Sequence, residues 1–145
     1  TGGDLMAFTG NYSCNTLRSG LISGSFDFSS DTFYMALYTN AATLDETTTA
    51  YTTAGEVVAS GYTAGGQVVT ATVTSATTPA GSVTYIDFSS PSWTAALTAR
   101  GALIYKAGAN GAVCVLDFGN DKTSTSTFTV QMPANTSTSA LIRLV

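Results

Sequence analysis

The sequence predicts an all-β protein: an antiparallel β-sandwich or jelly-roll-like domain with one short N-terminal helix and an extended N-terminal arm. Three observations carry this. Seven or eight strand-like runs recur about every ten residues with turn formers between them, the spacing of sandwiches and not of helical bundles. Several runs alternate apolar and polar residues with period two, the pattern of a sheet with one face buried. The 145 residues make one domain large enough to bury roughly 68–70% of the surface of its unfolded chain, so a core forms without staples. The organisation expected is an arm over residues 1–13 and a single β-sandwich domain over 14–145.

The arm is predicted from Leu5, Met6, Phe8 and Tyr12, large apolar groups in a Gly-interrupted segment without helical period. Such groups are rare in disordered tails. The segment packs on its own domain or docks on a neighbour, and these four residues are the candidate protein interface. In 15–23, Leu17, Leu21 and Ile22 mark one face of a short helix, with Asn15 or Thr16 as cap and Gly24 as stop. Ser25 to Phe28 alternates and leads into the run on which the rest is organised. In DTFYMALYTN at 31–40, Phe33, Met35 and Leu37 point one way and Tyr34, Ala36 and Tyr38 the other, so the strand is expected to be central and covered on both faces.

Residues 41–54 form a long Thr-rich connection with too few apolar residues for a core element, of a length that tends to be functional or mobile. Glu56 to Ala59 begins an extended piece, and GYTAGG at 61–66 is a turn, since no Lys-Ser or Lys-Thr follows as in a phosphate loop. Residues 67–74 read as one strand with Val69, Ala71 and Val73 on its buried face. The turn at 77–81 returns the chain through Val83, Tyr85, Ile86 and Phe88. Trp93 is expected as a core or sheet-edge anchor in preference to a ligand platform. Residues 101–106 and 112–118 flank Asn110-Gly111, which favours a tight antiparallel hairpin. A turn-rich loop at 119–126, a strand through Phe128, Val130 and Met132 closed by Pro133, and a last strand over 140–145 complete the pattern.

Charged residues are only 10% of the chain and the net charge is −4, against roughly 25% charged in an ordinary domain. Five scattered Lys and Arg argue against nucleic acid, which needs clustered cations. No run of about 18 apolar residues predicts a membrane span, and the first residues lack the pattern of a signal peptide. A neutral surface suits a chain that lives inside an assembly better than a free monomer. Two cysteines, Cys14 and Cys114, read as structural thiols, with a bridge left open. With no His in the chain, the Ser-His-Asp and Cys-His arrangements are ruled out. Asp45, Glu46, Glu56, Asp87, Asp117 and Asp121 could supply a carboxylate pair, but most sit where Asp is a turn former. Asp117 with Asp121 could hold a calcium ion but lacks the EF-hand order. No catalytic residue, metal or cofactor is expected, and the chain is read as not an enzyme.

The combination DTFYMALYT at 31–39, ATL at 42–44, TTAY at 48–51, Glu56-Val57, GYTAGG at 61–66, TARGALIY at 98–105 and VCVLDFGNDKT at 113–123 resembles a set of small structural proteins of tailed bacteriophages. It covers nearly everything from residue 14 to 145; residues 1–13 are not matched. The resemblance implies a virion part, foremost a capsid decoration or cement protein located on the capsid surface and assembled in the bacterial host cytoplasm. Its implied partners are the major capsid protein and further copies of itself, as a homo-oligomer such as a trimer. It brings no catalytic or ligand residues with it. Two other readings are a tail or head-fibre component touching a host surface through 41–54, and a carbohydrate-binding module or small glycan-active enzyme using Trp93 or Asp87.

Overall fold

Ten strands and one helix form in the computed structural model, which describes residues 10–144. The strands are β1 (Tyr12–Ser13), β2 (Phe33–Tyr38), β3 (Gln67–Val69), β4 (Ala71–Thr78), β5 (Gly81–Phe88), β6 (Ser92–Trp93), β7 (Thr98–Tyr105), β8 (Ala112–Thr123), β9 (Phe128–Thr129) and β10 (Ile142–Leu144). The helix α1 (Asn15–Ser23) follows β1. Every strand pairing is antiparallel. The strands form a five-stranded sheet in the order β1-β8-β7-β2-β3, a three-stranded sheet β10-β5-β4 and the pair β6-β9. The chain is therefore all-β with one short helix.

Strand β2 lies between β7 and β3 and is covered on both faces, as its sequence requires. Phe33, Met35 and Leu37 join the main apolar cluster with Ile104, Ile86, Phe88, Trp93 and Phe128, which ties the three sheets together. Ala36 and Tyr38 join a second cluster with Leu103, Tyr105, Val115 and Cys14. That second face is roofed by the 41–54 connection: Ala42 and Leu44 are buried, Tyr51 packs beside them, and Tyr38 Oη donates to Thr52 O at 2.7 Å. The expectation that this segment lacks core residues is corrected. Two small apolar groups suffice because the sheet face beneath supplies the rest of the cluster.

Other corrections follow from geometry. The helix has the expected bounds and ends at Gly24, which takes the left-handed conformation at φ 79°. Its N-cap is Cys14, without a side-chain cap bond, while Thr16 Oγ1 donates to Ala112 O at 2.6 Å. Leu17 is buried but Ile22 is 90% exposed, because five positions on it has turned past the buried stripe. Residues 25–28 form no strand: Phe26 and Phe28 are both buried around an Asp27 turn, whose carboxylate accepts from Ser29 and Ser30. Residues 56–59 make only one bridge, Glu56 to Tyr38. The run 67–74 is two strands. It leaves the five-stranded sheet at Thr70 and enters the three-stranded one, Ser89 clamping the crossing through Ser89 N–H to Thr70 O and Thr70 N–H to Ser89 Oγ, both 2.9 Å.

The 98–105 and 112–123 hairpin forms, with Asn110 at φ 59° in its turn. Strand β8 continues past Gly119 to pair Lys122 with Ala99, so the loop expected at 119–126 is in large part strand. The register shift between Ala99 and Gly101 absorbs the turn formers there as a bulge. Phe128, Val130 and Met132 are buried and their neighbours Thr127, Thr129 and Gln131 exposed, as the alternation predicts.

Candidate functional site

Of the four expected interface residues, Leu5, Met6 and Phe8 lie outside the described residues. Tyr12 is half-buried in β1, opposite Val115, and packs on the Cys14 and Val115 cluster. A two-residue strand is held weakly by its own ladder, and side chains add to it. Cys14 N–H donates to Val113 O at 2.9 Å, and Asn11 Oδ1 accepts from Asp117 N–H at 2.6 Å. Arg18 Nη1 donates to Ser13 Oγ at 2.5 Å and to Ser13 O at 3.0 Å. Because β1 runs antiparallel to β8, Asn11 meets the outer edge of β8 at Asp117, on the side of the 118–123 stretch.

A second region was not foreseen. Glu56 is buried, and its carboxylate accepts three hydrogen bonds: from Tyr51 Oη at 2.6 Å, Tyr62 Oη at 2.7 Å and Gly65 N–H at 2.8 Å. Tyr62 Oη also accepts from Leu37 N–H at 2.9 Å, so one phenol joins the carboxylate to β2. Burial, then the hydrogen bond to Glu56, pushes the Tyr51 and Tyr62 phenols far above their ordinary range. Burial and the nearby Glu56 charge raise Tyr105 to about 12. These hydroxyls are held as donors. Tyr105 Oη donates to Gly65 O at 2.6 Å, and Gly66, at φ 80°, lies so close to Met35 O that a Cβ has no room.

Above this clamp the rings form a stack. Tyr105 lies between Tyr51, 4.9 Å away at 19°, and Tyr34, 5.6 Å away at 25°. They floor an open cleft of about 500 Å³, rimmed by Ala50, Ala64, Ala107, Gly108 and Ala109, with no charged lining residue. A lining of tyrosine rings and small rim residues without charge suits a neutral group and gives an ion nothing to pair with. Nothing in the one-dimensional pattern groups Tyr34, Tyr51 and Tyr105, which come from a strand, a loop and a second strand. The one local signal was Tyr51 and Tyr62 five and six positions either side of Glu56.

The remaining candidates are engaged in structure. Trp93 is 2% exposed, between Tyr62 and Phe128, with Nε1–H buried and unpartnered among the described residues. It presents no platform to a ligand. Asp87 is buried, and its Oδ1 accepts from Phe88 N–H; burial raises its pKa. It lines a second cleft of about 520 Å³ with Thr72, Ser90 and Gln131. Asp117 Oδ1 accepts from Arg100 Nε at 3.3 Å and from Gly119 N–H at 2.8 Å, so this carboxylate is already paired with a positive charge. Cys14 and Cys114 are free and buried in different apolar clusters, one on each face of the sheet. Burial raises Cys14 to about 11 and Cys114 further. Among the described residues no three His, Cys, Asp or Glu side chains gather, and no helix is long and apolar enough to cross a membrane. Comparison with protein-family models, with curated proteins and with solved structures returns no match.

Proposed function

We propose that this protein is a non-enzymatic virion structural protein of a tailed bacteriophage, a sandwich-like body that binds the outer surface of the icosahedral capsid as a homo-oligomer and stabilises it. The observation that carries the reading is the attachment of Asn11, Tyr12 and Ser13 to β8. They are fastened to its outer edge, which is where the proposed arm with Leu5, Met6 and Phe8 joins the body. Together with the low charge and the resemblance, this supports a body that holds a capsid through an apolar arm. A standard interface of about 800 Å² per partner, repeated over many copies, reinforces a shell because linked sites add their free energies.

The test is co-sedimentation of purified protein with phage heads lacking it. Saturable binding that survives high salt is expected, since apolar contacts are little screened. Deleting residues 1–9, which leaves β1 in place, is expected to abolish binding with the fold intact. Unchanged binding after deletion removes the arm from the account, and absence of binding by the full chain removes the capsid.

The tyrosine cleft favours a second reading, a tail or head-fibre component whose neutral aromatic floor stacks on sugar rings of a host surface. It moves glycan recognition away from Trp93 and Asp87, both buried, and away from a free 41–54 loop. Glycan-array binding lost in Tyr34→Ala would establish it; no binding would end it.

A further inference from the structure

Among the described residues, strand β4 is an unguarded edge. It pairs with β5 over all eight positions, Ala71 with Phe88 through Thr78 with Gly81, without a register shift. No described strand pairs with its other side. In an antiparallel strand every second residue turns its N–H and C=O away from the neighbour, so β4 presents a row of open backbone donors and acceptors. Proteins ordinarily blunt such edges with charge, proline, bulges or short length. The other edges of this molecule follow that rule: β1 has two residues, β3 three, β10 carries Arg143, and the outer stretch of β8 carries Asp117, Asp121, Lys122 and a bulge. Strand β4, ATVTSATT, has no charge, proline or bulge, and Val73 at its middle is 47% exposed.

We propose that β4 is a homotypic docking edge, pairing antiparallel with β4 of a second copy about a two-fold axis and joining their three-stranded sheets. The occupant follows from the strand itself. A two-fold sets each residue type against its own strand, and one without charges meets its copy with no repulsion and no unpaired ion. Centring the axis on Thr74 overlaps residues 71–77 and sets Val73 against Ser75 of the second copy. This pairing covers the exposed Val73 and makes the outward backbone groups of both strands reciprocal partners. One strand pair buries less than the roughly 800 Å² per partner of a standard interface. The dimer is therefore weak in free solution and strengthens where copies are crowded. It goes beyond the capsid reading and is measured without capsids, so the two can fail separately.

The experiment is sedimentation equilibrium of the full chain across a concentration series into the high micromolar range, with circular dichroism and Tm as fold controls. The parent protein is expected to dimerise reversibly. V73K/S75K gathers like charges at the axis and is expected to weaken the dimer at least tenfold with the fold unchanged. V73E/S75K sets opposite charges against each other and is expected to retain it. A parent chain monomeric throughout overturns the proposal, as does equal dimerisation of both double variants. Loss of the dimer in both, with the fold intact, overturns the antiparallel register.

Discussion

In the five-stranded sheet, β2 and β7 bury side chains on both faces, and Met35, Leu37, Tyr38, Leu103 and Ile104 are all sealed from solvent. In the three-stranded sheet, no residue of β4 is fully buried, and β5 becomes so only from Val83 onward. The hairpin gives Ile86 and Phe88 to the main core, and its outer part encloses only a small cluster of Val83, Tyr85 and Ala140. Its tip is joined by cross-strand hydroxyl contacts, Ser75 with Thr84 at 2.9 Å and Thr77 with Ser82 at 3.4 Å. Apolar burial is the main favourable term of folding, so the first sheet is the scaffold and the second hairpin is carried by it. A hairpin whose edge strand stays largely exposed draws little stability from that strand's own burial. The stability that the first sheet accumulates is what allows the second to keep a surface unsuited to holding itself together.

Truncating one core residue in each sheet distinguishes scaffold from passenger most directly. Leu103→Ala is expected to cost about 2–5 kcal/mol by denaturant unfolding, the range for a sealed Leu. Val83→Ala is expected to cost about 1 kcal/mol, close to its transfer term, because solvent reaches the small cluster at the hairpin. Equal costs would mean that the hairpin is part of the scaffold. Next in size, Tyr62→Phe removes a donor from Glu56 and leaves Leu37 N–H without its side-chain acceptor. A loss of about 1–3 kcal/mol is expected, visible as a drop in Tm with β content unchanged. The smallest effect has the opposite sign. Asp87 has its folded pKa raised above the ordinary carboxylate range by burial. Its charge costs nothing below that range, and the penalty grows as pH rises through the folded pKa. Asp87→Asn, which keeps an acceptor for Phe88 N–H, is expected to raise Tm at pH 7 and to leave it unchanged in acid. A lower Tm at pH 7 would show that the carboxylate is held by more than that one bond.

The all-β class, the helix bounds, the two-faced β2 and the pairing of 101–106 with 112–118 were legible because each rests on period, length or a local turn signal. What stayed hidden depends on partners distant in sequence. Nothing in Gln67 to Thr74 marks the change of sheet at Thr70, because alternation is the same in either sheet; only the Ser89 clamp reveals it. Gly119, Asn120 and Asp121 look like a loop, and a bulge uses the same residues as a turn. The Tyr34, Tyr51 and Tyr105 stack unites three segments that no spacing rule relates, and Glu56 looked like one surface carboxylate among several until its three donors were in place.

The pairing of Tyr12 with Val115 has a consequence for the order of assembly. Hairpins β4-β5 and β7-β8 are local and close within microseconds once their residues exist. Strand β1 has no edge to join until about a hundred later residues have been made, and such distant closures are slow. A nascent or prematurely ended chain that lacks Val113, Cys114 and Val115 has nowhere to fasten its beginning. Strand β1 therefore acquires its fixed point only on a chain in which β8 has been made, which makes that attachment a record that synthesis has passed the main sheet.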